Sequence, residues 1–454
     1  MSTLDTTIVA ISTPAGKGGI AVVRASGADA ITLVEKIFVA QTAKKITDMP
    51  THRMVFGELH DNGEKIDEVI VSIFRAPHSF TGENTVEISC HGSVYIQRRI
   101  LQLLLSKGAR MAAAGEFTQR AFLNGKIDLA QAEAVADLIA SESAAAHRVA
   151  LQQLRGGFSE ELRQLRRQLL DFVALIELEL DFSEEEVEFA DRAQLTALLQ
   201  TLQSVTGRLL QSFALGNAIK NGVPVAIAGQ TNVGKSTLLN TLLGEDRAIV
   251  SDIHGTTRDS IEETIQLDGI TFRFIDTAGL RHTSGTVEQM GIERTWEKIR
   301  QAAIVLLLVD ATRPQTFASI DGVRAQLSGG QQLIVAVNKI DAGACNAPCA
   351  ATPVYISAKN KQGMAQLTEA LINSINRTPL AADETVITNL RHYEALQRTQ
   401  EALQRVEKGF ADKLPGDLIA QSLREALYHL GSITGEVTSG EILETIFSRF
   451  CIGK

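Results

Sequence analysis

The fold of the middle of the chain is determined by the segment Val223-Pro-Val-Ala-Ile-Ala-Gly-Gln-Thr-Asn-Val-Gly-Lys-Ser236. Its first six residues form an apolar run typical of a buried strand, and Thr237–Leu243 follows with helical character. Between them stands the pattern Gly-x4-Gly-Lys-Ser, whose backbone N–H groups and helix N-terminus can cradle phosphates. Because strand, loop and helix follow one another in the required order, the sequence predicts a phosphate-binding loop.

Three further motifs follow strand-like runs downstream. Asp276-Thr-Ala-Gly279 follows Phe272–Ile275, where a carboxylate would lie near Mg²⁺ and a glycine N–H near the γ-phosphate. Asn338-Lys-Ile-Asp341 follows Leu333–Val337, and an aspartate there can accept from the ring N–H and exocyclic amine of guanine, which adenine does not match. Ser357-Ala-Lys359 forms a loop that could pack behind the guanine base. Each motif alone could be a turn, but together they predict a guanine-nucleotide domain and disfavour an ATPase.

A switch loop is expected between the phosphate loop and Asp276. Gly255-Thr-Thr-Arg-Asp259 lies there, so Thr257 would ligate Mg²⁺ when the γ-phosphate is bound. Lys235 would reach the β- and γ-phosphates, and the Ser236 hydroxyl would ligate Mg²⁺. Many GTPases follow Asp-x-x-Gly with a glutamine that positions the attacking water, but Leu280 stands at that place. The chain therefore needs another water-positioning group and another cation.

The predicted GTP-binding residues come from these motifs and the residues beside them. They are Asn232, Val233, Gly234, Lys235, Ser236, Thr237, Ser251, Asp252, Ile253, His254, Gly255, Thr256, Thr257, Asp276, Thr277, Ala278, Gly279, Asn338, Lys339, Asp341, Ser357, Ala358 and Lys359.

Composition limits the remaining possibilities. The 454 residues are 44% hydrophobic and 21% charged, which predicts two to four folded domains and excludes a disordered chain. A net charge of −9 disfavours a protein that coats nucleic acid by bulk charge. Four cysteines do not make a disulfide framework, and nothing in the sequence has a zinc signature. Residues 1–5 lack the pattern of a signal peptide and apolar runs are short, so we expect a cytoplasmic protein outside membranes.

The apolar pattern changes along the chain and predicts a multidomain α/β and α protein. Residues 1–120 resemble a mixed unit of short strands, with Asp61-Asn-Gly63 as a hairpin turn. Helical spacing dominates 121–217, short strands alternate with helices over 218–378, and helical character returns over 379–454. We expect an N-terminal α+β domain and a discontinuous helical domain into which a Ras-like P-loop domain is inserted.

The motifs, their order and two further segments resemble one protein family. The motifs are Gly255–Asp259 and Asp276-Thr-Ala-Gly-Leu-Arg281. The two further segments are Gly115-Glu-Phe-Thr-Gln-Arg-Ala-Phe-Leu-Asn-Gly-Lys-Ile-Asp-Leu-Ala-Gln-Ala-Glu133 and the terminal Phe450-Cys-Ile-Gly-Lys454. Together they are similar to the MnmE (TrmE) family of bacterial tRNA-modification GTPases. The resemblance covers residues 5–454, and the terminal motif is its most specific part.

This resemblance implies a function that composition and spacing do not. It implies a homodimer whose N-terminal domains bind 5-formyltetrahydrofolate or a related tetrahydrofolate. It also implies a partner, the FAD- and NADH-dependent MnmG protein, in a heterotetramer-like complex. Together the two would add an aminomethyl or carboxymethylaminomethyl group at C5 of the wobble uridine in certain tRNAs. GTP hydrolysis would require K⁺ and a meeting of the two G domains across the dimer.

The resemblance also implies roles for single residues of the G domain. Asn232 would ligate K⁺ together with oxygens of Ser251, Ile253 and Thr256. A cation beside the phosphates would do the work of a missing arginine finger. Glu288 would orient the attacking water through a second water and so replace the missing glutamine. Without the resemblance, Asn232 and Glu288 would be a loop-holding side chain and a solvated acid.

The implied folate contacts are Arg24, Glu87, Lys126 and Lys454. Basic residues suit the glutamate tail of a folate, and a carboxylate suits the paired donors of its pterin ring. Cys451 would be a functional thiol near this site, with a nucleophilic or redox role, whereas a structural role as a small apolar side chain stays open. The predicted catalytic residues are Glu288, Lys235 and Cys451.

A regulatory GTPase of ribosome assembly is the alternative function. The same nucleotide motifs would serve it, and its product would be a conformational state and not a modified base. It would need neither a folate pocket nor the terminal Cys-Ile-Gly-Lys, and a basic RNA-binding domain would be expected.

Overall fold

The structure is a computed structural model. It describes residues 6–42, 44–181, 192–230, 232–244, 263–275, 299–300, 302–313, 319–327, 331–343, 352–375, 385–412, 414–448 and 450–453. The chain forms two compact units. The first contains Met1–Ala136, Gln153–Leu195 and Arg405–Lys454, and the second contains Asp137–Gln152 and Thr196–Gln404.

The first unit is built on a seven-stranded sheet with the order β3-β4-β5-β6-β2-β1-β7. All neighbouring strands are antiparallel except β1 and β7, which are parallel. The strands are β1 (Ile8–Ile11), β2 (Ile20–Ser26), β3 (Phe38–Ala40), β4 (Arg53–Asp61), β5 (Glu64–Phe74), β6 (Thr85–His91) and β7 (Arg110–Met111).

The predicted hairpin at residues 61–63 joins β4 and β5. Asn62 and Gly63 have φ angles of 50° and 89°, the left-handed conformation that such two-residue turns require. One face of the sheet carries the core, because alternate residues of β2, β5 and β6 pack against α1 (Ala30–Glu35) and α2 (Val94–Ser106). Arg24 of β2 and Glu87 of β6 lie on the opposite face, where Arg24 is close to Phe117 of α3 (Glu116–Leu123).

Helices complete the first unit. They include α4 (Leu129–Ala140, shared between the units), α6 (Gly157–Asp181), α12 (Gly416–Thr434) and α13 (Gly440–Phe447). Within the unit α6 packs against α12, and α13 packs against α3. Leu129, Phe447 and Phe450 share a small core that connects the end of the chain to the residues after α3.

The second unit is built on a six-stranded sheet with the order β13-β12-β11-β8-β10-β9, parallel except for the β9–β10 hairpin. Its strands are β8 (Val223–Ala228), β9 (Glu263–Leu267), β10 (Ile270–Phe274), β11 (Ile304–Asp310), β12 (Gln332–Asn338) and β13 (Val354–Tyr355). Apolar cores lie on both faces of this sheet, as the uninterrupted apolar run of β11 requires.

The helices of the second unit lie before, between and after its strands along the chain. They are α5 (Ala144–Leu154), α7 (Arg192–Asn221), α8 (Lys235–Leu243), α9 (Ser319–Arg324), α10 (Met364–Ile375) and α11 (Leu390–Ala411), of which α5, α7 and α11 are shared between the units. The combination of a mixed sheet, long helices and a parallel sheet confirms the predicted fold class. Within the described part of the chain, no helix is both long and apolar enough to cross a membrane.

Candidate functional site

The phosphate loop joins the end of β8 to the start of α8. Gly229 and Gly234 have φ angles of 143° and 101°, which favour glycine. A Cβ atom at Gly229 would lie 2.5 Å from the Leu308 carbonyl oxygen, and one at Gly234 would collide with the Asn338 side-chain nitrogen. Both glycines are therefore required by backbone conformation and by close packing, as the motif predicts.

Lys235 begins α8 and folds back over this loop. Its Nζ donates to the carbonyl oxygens of Gly229 and Gln230 at 2.6 and 2.9 Å. Burial lowers the pKa of the Lys235 ammonium. Ser236, the next residue of α8, is half-buried. The cation and the hydroxyl predicted to serve phosphate and Mg²⁺ thus stand at the same helix N-terminus.

The guanine motifs are joined to the phosphate loop through Asn338, the last residue of β12. Its side-chain nitrogen donates to the Val233 carbonyl oxygen at 2.8 Å, and its side-chain oxygen accepts from the Ala358 N–H at 3.0 Å. The Ser357 hydroxyl donates to the Asp341 carboxylate at 2.6 Å. Asn338 is buried and joins the motifs, whereas Asp341 is exposed and accessible from solvent.

The same site holds two residues in the left-handed conformation. Asn232 and Lys339 both have φ near 65°, and the Lys339 Nζ donates to the Asn232 carbonyl oxygen at 2.6 Å. Lys359 and Thr237 are exposed at the ends of the predicted motifs. The predicted residues of the phosphate loop and of the guanine motifs are therefore brought together in one place.

A second candidate site lies in the first unit, where Arg24 of β2 pairs with Glu87 of β6. Arg24 donates to one Glu87 carboxylate oxygen from Nε at 2.9 Å and from a terminal nitrogen at 2.7 Å. Its guanidinium also lies 5.8 Å from the Phe80 ring centre and 5.6 Å from that of Phe117. Two of the four predicted folate residues are thus in direct contact.

The loop of residues 75–84 carries Phe80 and is tied to the segment after α3. The Lys126 ammonium donates to the Pro77 carbonyl oxygen at 3.0 Å, and the Asn124 amide donates to the Thr81 carbonyl oxygen at 2.7 Å. Lys126, the third predicted folate residue, therefore contacts the loop that carries Phe80, and the Phe80 ring lies beside Arg24.

A buried ion-pair network anchors the loop of residues 75–84 through Glu83. Arg120 is 1% exposed and donates to both carboxylate oxygens of Glu83 at 3.1 Å and to Glu116 at 3.0 Å. Arg110 also pairs with Glu116. Burial raises the pKa of Glu116, but hydrogen bonds from Arg110, the Ala113 N–H and Arg120 outweigh it and hold that pKa below its ordinary value.

The C-terminal tail lies against the same domain. Ile452 forms an antiparallel bridge with Ala114, and the Ser12 hydroxyl donates to the Gly453 carbonyl oxygen at 3.1 Å. Cys451 is exposed. By contrast, burial raises the pKa of the Cys90 thiol to about 11, so Cys451 is the accessible thiol of these two.

Several predicted site residues lie outside the described residues. They are Ser251, Asp252, Ile253, His254, Gly255, Thr256, Thr257, Asp276, Thr277, Ala278, Gly279, Glu288 and Lys454. Their roles in the switch loop, in the K⁺ site, in orienting water and in folate binding stay predictions.

Sequence reasoning missed Phe80, Phe117, Glu83, Arg120 and Asp310. Phe117 and Arg120 belong to the segment 115–133, which indicated the family without indicating what its residues do. Phe80, Glu83 and Asp310 carried no signal, because Arg24, Arg120 and Lys339, which they contact, are distant in sequence.

Comparison with known proteins gives the family. The model described as the MnmE helical domain matches residues 129–451, and the model described as the GTP-binding protein TrmE N-terminus matches residues 7–126. A protein of Parabacteroides distasonis named tRNA modification GTPase MnmE is 52% identical over 99% of this chain and 100% of its own. One of Flavobacterium johnsoniae with the same name is 51% identical over 98% of this chain and 99% of its own.

The chain belongs to the MnmE family. Among solved structures, the G domain of the T. maritima FeoB iron transporter is 24% identical and covers 34% of this chain and 98% of its own. Its TM-score of 0.24 is too low to support a conclusion. The MnmE relatives confirm the family resemblance and the GTPase class predicted from the sequence.

Proposed function

We propose that the chain acts on tRNA as its MnmE relatives are named to do, and that it does so with K⁺-dependent GTP hydrolysis. With an FAD- and NADH-dependent MnmG partner it would add an aminomethyl or carboxymethylaminomethyl group at C5 of the wobble uridine, using a tetrahydrofolate one-carbon donor. GTP binding is supported above all by the two hydrogen bonds of the Asn338 side chain, which connect the phosphate loop to the guanine motifs.

The described residues fit a bound GTP with Mg²⁺. The left-handed residues of the phosphate loop and the N-terminus of α8 would turn backbone N–H groups toward a polyphosphate. Lys235 would bind the β- and γ-phosphates, Ser236 and Thr257 would hold Mg²⁺, and Asp341 would bind guanine. Mg²⁺ would neutralise charge on the phosphates.

K⁺ would occupy a position beside the same loop. Asn232 would hold it, as the family resemblance implies, and the exposure of its side chain supports this role. Ser251, Ile253 and Thr256 would supply the other oxygens, and the ion would supply the positive charge that an arginine finger gives elsewhere. Glu288 would orient the attacking water.

A tetrahydrofolate would bind at Arg24, Glu87, Lys126 and Lys454. The Arg24–Glu87 pair supports this, because it presents a carboxylate and a guanidinium side by side next to the exposed ring of Phe80. We expect Glu87→Gln to weaken 5-formyltetrahydrofolate binding by about tenfold in titration calorimetry. Exposed Glu68→Gln on the neighbouring strand is the matched control, and equal affinity of both variants would remove Glu87 from the folate site.

The dimer would form through the first unit. Phe56 and Ile70 are cross-strand neighbours on the sheet face opposite the core, and they are 44% and 38% exposed. Met54 on the same face is 69% exposed. An apolar face of this kind supports burial against a second copy. We expect the homodimer to work with MnmG and tRNA in the cytoplasm.

Mass spectrometry of tRNA nucleosides tests the proposed reaction. Cells that lack the chain should lose C5-aminomethyl-type wobble uridines, and the wild-type chain should restore them. A Cys451→Ser variant should retain GTP hydrolysis but restore less than roughly a tenth of the modification if the thiol takes part. Unchanged nucleosides without the chain would favour the ribosome-assembly alternative, and full restoration by Cys451→Ser would make the thiol structural.

A further inference from the structure

Lys339 connects two elements of the nucleotide site through one ammonium group. Its Nζ donates to the Asn232 carbonyl oxygen at 2.6 Å and to a carboxylate oxygen of Asp310 at 2.7 Å. Lys339 and Asn232 both have positive φ angles, a conformation that costs free energy for lysine and that asparagine tolerates better than most residues. The Lys339 ammonium therefore links the backbone of the phosphate loop at Asn232 to the carboxyl end of β11 at Asp310.

Asp310 is the fixed end of this connection. It is the last residue of β11 and is 1% exposed, and its second carboxylate oxygen accepts from the Thr312 N–H at 2.9 Å and the Thr312 hydroxyl at 2.7 Å. Burial raises the pKa of Asp310, but Lys339 and Thr312 outweigh it and hold that pKa below its ordinary value. The result is a buried anion with both oxygens engaged.

We propose that Asp310 is a positioning residue of the nucleotide site, which acts through Lys339 on the phosphate loop. The carboxylate holds the Lys339 ammonium against the Asn232 carbonyl, and this keeps Asn232 left-handed and the loop ready for phosphates. The lysine side chain is one-third exposed, so without the carboxylate it can turn to water. Nucleotide affinity then falls although no group that would contact the nucleotide has been removed.

A consequence for K⁺ follows if Asn232 holds the ion, and it rests on the proposed function. Loss of the support at its carbonyl also shifts the Asn232 side chain. A higher K⁺ concentration is then needed for half-maximal hydrolysis, while the rate at saturating K⁺ and GTP is retained. The effect on nucleotide affinity does not depend on this step.

Two variants of the full chain separate the two oxygens of Asp310. Asp310→Asn removes the charge that holds Lys339, and Thr312→Val removes only the hydroxyl bond to the other oxygen. The dissociation constant of a fluorescent GDP should rise about tenfold in Asp310→Asn, which corresponds to about 1.4 kcal/mol, and less than about twofold in Thr312→Val. Val305→Ala, at the far end of β11, controls for general weakening of the strand and should leave GDP affinity unchanged.

A double-mutant cycle gives the decisive result. If Asp310 acts through Lys339, adding Asp310→Asn to Lys339→Met should weaken GDP binding no further. Additive losses, or equal losses in Asp310→Asn and Thr312→Val, would show that Asp310 merely supports its turn and would overturn the proposal. A wild-type rate that is equal in K⁺ and Na⁺ would remove the proposed K⁺ role, and the GDP cycle would still decide the role of Asp310.

Discussion

The two candidate sites of this chain are built from different kinds of contact. In the nucleotide site, side chains of short motifs bind backbone carbonyls, as Asn338 does with Val233 and Lys235 with Gly229. In the candidate folate site, charged side chains bind one another across long sequence distances, as Arg24 does with Glu87. The first arrangement fixes a loop, whereas the second depends on buried charges staying paired. The two sites should therefore fail in different ways.

The largest effect is expected when Arg120, the buried arginine that pairs with Glu83 next to the candidate folate site, is replaced. Arg120→Met leaves Glu116 and Glu83 without this partner, and breaking a buried pair costs about 3–5 kcal/mol. Hydrogen exchange of the full chain should show lost protection over α3, with GDP affinity unchanged. Arg167→Met, which removes an exposed pair with Glu160, is the control. It should lower the free energy of unfolding by less than about 1 kcal/mol. Equal protection in both variants would mean that the network adds no stability.

The next effect tests the nucleotide site by its ligand and not by its stability. Asp341→Asn turns the expected acceptor for guanine into a donor, so GTP affinity should fall roughly a hundredfold and xanthosine triphosphate should become preferred. Competition binding measures both affinities. Asp321→Asn, an exposed carboxylate on α9, is the matched control. Retained preference for GTP would exclude Asp341 from the guanine site.

This difference also explains how much the sequence could predict. The phosphate loop and the guanine motifs follow strands whose order is set by a parallel sheet, so motif order alone places Gly234, Asn338 and Ser357 near one another. Arg24 and Glu87 were proposed only through the family resemblance. Nothing in the sequence pairs Arg120 with Glu83 or stacks Phe80 on Arg24, because these contacts depend on how a loop folds over an antiparallel sheet.

A smaller effect is expected at the nucleotide site when the cation is changed. The ratio of the GTPase rate in K⁺ to that in Na⁺ should be high in the wild type, and Asn232→Ala should lower this ratio by roughly tenfold because one oxygen ligand is lost. Asn240→Ala removes the same amide from the exposed side of α8 and should keep the ratio. If Asn232→Ala leaves the ratio intact, K⁺ is held by other residues.

The smallest effect is a pH dependence that only the buried network should show. The pKa of Glu116 is held below its ordinary value, so its contribution to stability is present above about pH 4.5 and is lost as the pH falls through the lower pKa of the folded state. The protection of α3 against hydrogen exchange, corrected for the intrinsic pH dependence of exchange, should therefore differ between wild type and Glu116→Gln at neutral pH. This difference should shrink as the solution becomes more acidic than pH 4.5. Glu160→Gln alters an exposed carboxylate on α6 and should produce no such change at α3. A constant difference between wild type and Glu116→Gln at every pH would mean that the Gln side chain perturbs packing, and that the charge of Glu116 does not hold the network together.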